Sequence, residues 1–231
     1  MVKVRHWINE CISSHSRCRS AGDSVLPARV LDIGLNDASS ITLRESKGET
    51  GRYICLSYCW GGSEFTMTTP DTIESHRRGI NLQDLPQIFQ DSIKIARALG
   101  IQYLWIDALC IIQHEEDHAD WKRECGCMAD IFRNAYLTVA ATSANSPTGG
   151  CFTPAADGIT IGPVIMRRIS HFPLPASAKM SVNFPLLSRA WAYQERMLAP
   201  RVVHFGRHEM LWDCVEHRTC ECNQAGYHQT K

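Results

Sequence analysis

Short, almost wholly apolar runs alternate along the chain with longer segments in which apolar residues recur every three or four positions. The runs "RYICLSYCW", "IQYLWID" and "AYLTVAAT" lack polar alternation, which predicts strands buried on both faces, as in a parallel sheet. Between the first two, "LPQIFQDSIKIARALG" sets Ile88, Phe89, Ser92, Ile93, Ala96 and Leu99 at helical spacing. Pro86 suits the first turn of that helix and Gly100 its stop. Residues 119–134 predict another helix, with Trp121, Cys125, Met128, Ile131 and Phe132 on one side.

Upstream, "ARVLDIG" and "SSITLRES" read as two strands of a hairpin. The segment from Gly62 to Asp84 is loop-like with one helical turn. Downstream, "TIGPVIMRRIS" reads as a strand, and "HFPLPASAKMSVNFPLL" is too rich in proline for a regular element. "SRAWAYQERMLA" reads as a helix, then "RVVHFG" and "EMLWDC" as a hairpin turning at "RHE". The expected fold is α/β: a mainly parallel central sheet flanked by helices, with an N-terminal β-hairpin and a C-terminal helix plus β-hairpin extension. The organisation expected is a Cys/His segment over 1–24, one domain over 25–213 and a polar, Cys-rich tail over 214–231.

Composition narrows the function classes. Hydrophobic residues make up 44% of the 231 residues and charged residues 21%, as in a soluble globular protein. Lys plus Arg and Asp plus Glu both count 24, so no global field steers the chain onto nucleic acid or an anionic membrane. No apolar run reaches the length of a membrane span, and the start lacks the apolar core of a secretory signal. A cytoplasmic protein with mostly reduced cysteines is expected; its eleven cysteines are odd in number, and several sit in apolar runs.

The chemistry-bearing patterns are few. His114 to His118 spell H-E-x-x-H, in which two histidines on a helix bind zinc and the glutamate between them acts as base. Here the surroundings are acidic, directly follow a strand and offer no apolar face. The pattern therefore reads as an acidic connection opening the next helix, with a zinc hydrolase as the remote alternative. Asp107 stands at the carboxyl end of a predicted strand, the edge where open α/β sheets bind ligands. Ser57, Tyr58 and Trp60 stand at the matching end of the preceding strand, and Glu124 on the helix after the strand that ends at Asp107. For Asp107 the alternative is a capping carboxylate, and for Glu124 a surface ion pair. Cys11, His15 and Cys18 offer three zinc ligands, and the cluster Cys214, His217, Cys220 and Cys222 could donate a fourth if the termini meet. Reduced, unbound cysteines are the alternative.

The ordered set "YICLSYCWG", "LPQIFQDSIKIARALGIQYLWIDALCIIQ", "DWKRECGCMADIFRNAYLTVAATSA", "GGCF" and "RAWAYQERML", from Tyr53 to Arg196, resembles the fungal heterokaryon-incompatibility (HET) domain. The resemblance implies an effector of self/non-self recognition, regulated cell death and fungal innate immunity, with protein partners and self-assembly. HET domains often open longer proteins, and the tail here gives no clear ending. The family has been proposed to be distantly related to Toll/interleukin-1 receptor (TIR) domains, some of which hydrolyse NAD. That implies a TIR- or flavodoxin-like core with NAD as substrate. "CLSYCWG" is similar to the first TIR strand, and "DWKREC" sets Glu124 behind Trp121 in the context of the TIR catalytic glutamate, three residues on where TIR domains have four. On this reading Glu124 is catalytic, and Ser57, Tyr58, Trp60, Asp107 and Trp121 line the crevice. Arg189 and Glu195 either reach the crevice to contact a phosphate or ribose, or pin their helix to the sheet with Trp191 in the core. A non-catalytic assembly module is the alternative.

Overall fold

The computed structural model describes residues 1–18, 22–62, 64–114, 116, 118–152, 158–161, 164–167 and 184–223. Helix α1 (Val2–Ser14) leads into β1 (Ser24–Val25), β2 (Arg29–Asp32), β3 (Ser40–Glu45), β4 (Thr50–Gly51) and β5 (Tyr53–Ser57). Then come α2 (Ile73–Arg78), β6 (Ile80–Asn81), α3 (Gln87–Leu99), β7 (Tyr103–Trp105), α4 (Asp107–Cys110), α5 (Ala119–Asn134) and β8 (Leu137–Ala140). A hairpin of β9 (Gly158–Ile161) and β10 (Val164–Arg167) precedes α6 (Ala190–Leu198), β11 (Arg201–Phe205), β12 (Met210–Cys214) and β13 (Arg218–Cys220). Most of the proline-rich stretch lies outside the described residues.

Nine strands form one sheet in the order β13-β12-β11-β8-β5-β7-β2-β3-β6. The three central runs are the strands β5, β7 and β8, and every residue of β5 and β8 is buried. β7, β5, β8 and β11 run parallel. The other five pairings are antiparallel. The expected mainly parallel, flavodoxin-like sheet is corrected to a mixed one. The helical crossovers made the middle parallel. The two hairpins, read as extensions, instead continue the same sheet: β2 pairs with β7, and β11 with β8. Among the described residues no helix is long and apolar enough to cross a membrane.

Local chemistry sets the element ends. Gly100, at φ 77°, ends α3 in a Schellman motif: its N–H donates to Arg97 O and that of Ile101 to Ala96 O, each at 3.0 Å. Gly150 of "GGCF" has φ 72°, and a Cβ there would meet the Asp91 carboxylate at 2.8 Å. That contact docks the loop on α3, where Asp91 accepts the Cys151 N–H at 2.9 Å.

A buried ion cluster holds α5. Arg29, on β2, donates to the Asp120 carboxylate and, through Nε, to Cys110 O at 2.7 Å, with Glu124 4.0 Å away. Asp120 also accepts the Ile112 N–H at 2.8 Å. Burial alone would raise the Asp120 pKa, but the Arg29 hydrogen bond and charge, the Ile112 amide and Arg123 lower it on balance. Stability from this depressed carboxylate is present above the usual Asp range and lost as pH falls through the folded value. We expect Arg29→Leu, which takes the buried cation from two buried carboxylates, to cost about 3–5 kcal/mol in urea unfolding. A loss like that of a surface pair, ~1 kcal/mol or less, would refute this role.

Candidate functional site

The parallel strands change direction of travel at β5: the chain goes from β5 to β7 on one side, then crosses to β8 on the other. Crevices at the carboxyl ends of strands beside such a switch are where open α/β sheets seat ligands. A cavity of about 200 Å³ lies there, at the ends of β5 and β7 and between α5 and α6. That is below the roughly 300–1,000 Å³ of drug-sized sites, room for about one ring or sugar.

Its polar groups are Tyr58, Asp107, Arg189 and Glu195, with Trp60, Trp121 and Trp191 among the aromatic walls. Ser57, the last residue of β5, donates its hydroxyl to the Glu195 carboxylate. Asp107, the first residue of α4, accepts the Ala108 N–H at 2.7 Å with one oxygen and Trp60 Nε1–H at 2.7 Å with the other. Arg189 donates to Tyr58 O at 2.7 Å, and Arg196 donates to Asp213 on β12, also at 2.7 Å. These two arginines pin both ends of α6 to the sheet, and Glu195 between them faces the cavity.

Burial makes both carboxylates hard to ionise. It pushes Glu195 up to about 7, with the Asp107 charge adding to the rise and the Ser57 hydrogen bond and Arg189 opposing it. Burial also raises Asp107, opposed by Trp60, Tyr58, the Ala108 amide and Arg189. The Tyr58 hydroxyl is buried without a well-formed hydrogen bond, and burial, with the nearby Asp107 charge, holds its pKa well up. Two tunable carboxylates, a fixed cation and hydroxyl donors among indoles suit chemistry that develops positive charge beside a carboxylate.

The structure brings Ser57, Tyr58, Trp60, Asp107, Trp121, Arg189 and Glu195 together as the sequence suggested. It does not bring Glu124. That residue is buried on another side of α5, beside Arg29 and Arg123, and lines a separate pocket with Val25, Leu26 and Tyr53. It is neither in the crevice nor in a surface ion pair. Trp191 is not in the core: it is 59% exposed at the cavity wall. Leu56, Trp105, Cys125, Met128 and Phe132 also line the cavity and were missed as site residues. Their common signal, helical spacing behind Trp121 and the strand ends, was legible only as core.

His114 and His118 precede α5 rather than lying on it, with left-handed φ of 60° and 53°. The two histidines therefore do not sit on a helix turn as a zinc hydrolase needs; Glu115 and Asp117 of the expected acidic connection lie outside the described residues. Cys11, His15 and Cys18, by contrast, meet Cys214 in one cluster, all ligand atoms within 4.8 Å of one another.

Because the Glu195 pKa lies above the ordinary carboxylate value, the folded state holds a proton that the unfolded chain releases. Stability should therefore fall as pH rises from the ordinary Glu range to about 7. Glu195→Gln should remove that part of the slope in unfolding curves measured between pH 5 and 8, roughly the window of the shift. An unchanged slope would show that Glu195 ionises as a solvated carboxylate does.

Neither a search of curated proteins nor a search of solved structures returned a match. The family model described as "Heterokaryon incompatibility protein (HET)" matches residues 53–195, well over half of the chain, from the start of β5 to Glu195 itself. With that span holding the strand ends, α5 and the part of α6 up to Glu195 that build the cavity, the chain belongs to the heterokaryon incompatibility (HET) family.

Proposed function

We propose that this HET-family chain is a death-signalling effector that cleaves the nicotinamide–ribose bond of NAD, with Glu195 as the working carboxylate. The observation that carries this reading is the setting of Glu195. It shares a cavity at the strand ends with Asp107 and Arg189, takes a hydrogen bond from Ser57 and stays protonated up to about pH 7. In the step, the C1′–N bond breaks and its electron pair goes to the pyridinium nitrogen, so nicotinamide leaves neutral. The ribosyl oxocarbenium ion is stabilised by ionised Glu195 and captured by water, whose proton passes to that carboxylate. Trp121 and Trp191, 46% and 59% exposed, flank the opening where a ring can stack. Arg189 offers the charge for a phosphate. The reading places the protein in the cytoplasm, self-assembling with protein partners.

A second reading, a non-catalytic assembly module, rests on the exposed Trp191, Tyr193 and Met197 along α6. One experiment separates the two: NAD consumption by the purified, artificially oligomerised chain. We expect turnover that rises as Glu195 ionises near pH 7. Glu195→Gln should lower it by about 10²–10⁴-fold, and Glu124→Gln should keep it per folded molecule. No turnover, together with self-association that Trp191→Ala abolishes, selects the assembly module.

A further inference from the structure

The four-residue cluster at the junction of α1 and β12 has no part in the cavity chemistry. Cys11 is fully buried in the last full turn of α1, on the Val4, Trp7, Ile8, Cys11 stripe that faces the protein. His15 follows four residues later, where the chain has left the helix with extended backbone. A turn over residues 16–17 then returns Cys18 to the same point. The fourth group comes from the far end of the sequence: Cys214, fully buried, is the last residue of β12.

The spacing between these atoms is close to that of a coordination shell. Tetrahedral zinc with Zn–S near 2.3 Å and Zn–N near 2.0–2.1 Å places neighbouring ligands about 3.5–3.8 Å apart. His15 Nδ1 lies 3.3 Å from Cys214 Sγ and 3.6 Å from Cys18 Sγ, and all four ligand atoms fall within 4.8 Å of one another. The surroundings hold the donors in place. The His217 N–H donates to Cys214 Sγ at 3.3 Å, and the Cys214 N–H to His217 O at 2.9 Å, closing a tight turn under the sulfur. The His217 ring meets the His15 ring edge-on at 5.9 Å. Glu216 in that turn accepts the Arg17 N–H from the other. Amide donors to a ligating sulfur and a fixed imidazole are the outer-shell supports that structural metal sites use.

We propose that Cys11, His15, Cys18 and Cys214 form a structural zinc site that staples the N-terminal helix to β12. Three thiolates and one imidazole make a closed, soft donor set, which selects zinc over calcium or magnesium and leaves no position for substrate. The ligands lie on both sides of the family match, at residues 11–18 and 214 against 53–195. The ion therefore closes a loop of about two hundred residues, a long ring to constrain in the unfolded chain, and its binding energy is folding energy. Trp7 against Trp212, ring centroids 6.1 Å apart, is the packing that this staple reinforces.

The test is metal content of the full chain purified without chelators, read by elemental mass spectrometry beside free-thiol counting. The wild type should carry one zinc at this site, and Cys214→Ser should lose it. Cys127→Ser, on the exposed face of α5, and Cys222→Ser, in the separate Glu209, Cys220, Cys222 group, should retain it. A strong chelator should lower the wild-type melting temperature and leave that of Cys214→Ser unmoved. Should Cys214→Ser fail to fold, cobalt substitution of the wild type gives the same answer. Intense thiolate-to-cobalt absorption with tetrahedral bands supports the site, and its absence refutes it. Zinc-free wild type, Cys214→Ser that keeps its metal, or a Cys11–Cys214 disulfide in fresh protein would each overturn the proposal.

Discussion

A guanidinium withdrawn from water must be neutralised where it lies, and in this fold the neutralisation of Arg29 sets the position of the cavity wall built by α4 and α5. Its partners are not one residue but three pieces of backbone and side chain: the end of α4 through Cys110 O, the first turn of α5 through Asp120, and the next turn through Glu124. Asp120 reaches back to the Ile112 amide. The stretch running from Asp107 to the start of α5 is thereby clamped against β2. Asp107 is fixed at one end of that clamp and the Trp121, Cys125, Met128, Phe132 face of α5 at the other. The cavity wall is the far side of an ionic core.

The cavity has its own compensation. Two carboxylates of like sign line one small space, and neither is given a full counter-charge. Arg189 is partly committed to Tyr58 O, so its charge is shared among Asp107, Glu195 and a backbone dipole. Proteins that only need stability seldom leave such a group of half-satisfied charges beside open volume. The arrangement is tolerated because hydroxyl, indole and amide donors each take up one oxygen.

Much of this was legible from residue order alone. The runs around Ile54, Leu104 and Val139 became adjacent parallel strands, and the periodic segments at 87–99 and 119–134 became helices. Strand direction at the flanks was not legible. Whether the strand of Val30 or of Val203 extends the main sheet depends on pairing partners far away in sequence, which local pattern does not encode. The position of Glu124 shows a finer limit. At 3.6 residues per turn, a residue three after Trp121 points about 60° away from it. Glu124 therefore shares a face with Asp120 and looks toward β2, while Trp121 shares a face with Cys125 and looks into the cavity. The spacing from Trp121 carried this information, but only with the helix's two neighbours in place does a rotation of that size separate an ion cluster from a cavity wall.

The sheet order also separates two things that a family match invites one to equate, the unit of recognition and the unit of folding. The matched segment contains four strands of the nine-strand sheet: β6 at one edge, and β5, β7 and β8 together in the middle. The outer edge of β7 is covered by β2 and that of β8 by β11, and both covering strands lie outside the match. Cut at those limits, the recognisable part would carry two bare, apolar strand edges, each a template for pairing with another chain. The matched span holds the lining of the cavity. What covers the edges of its strands is the chain on either side.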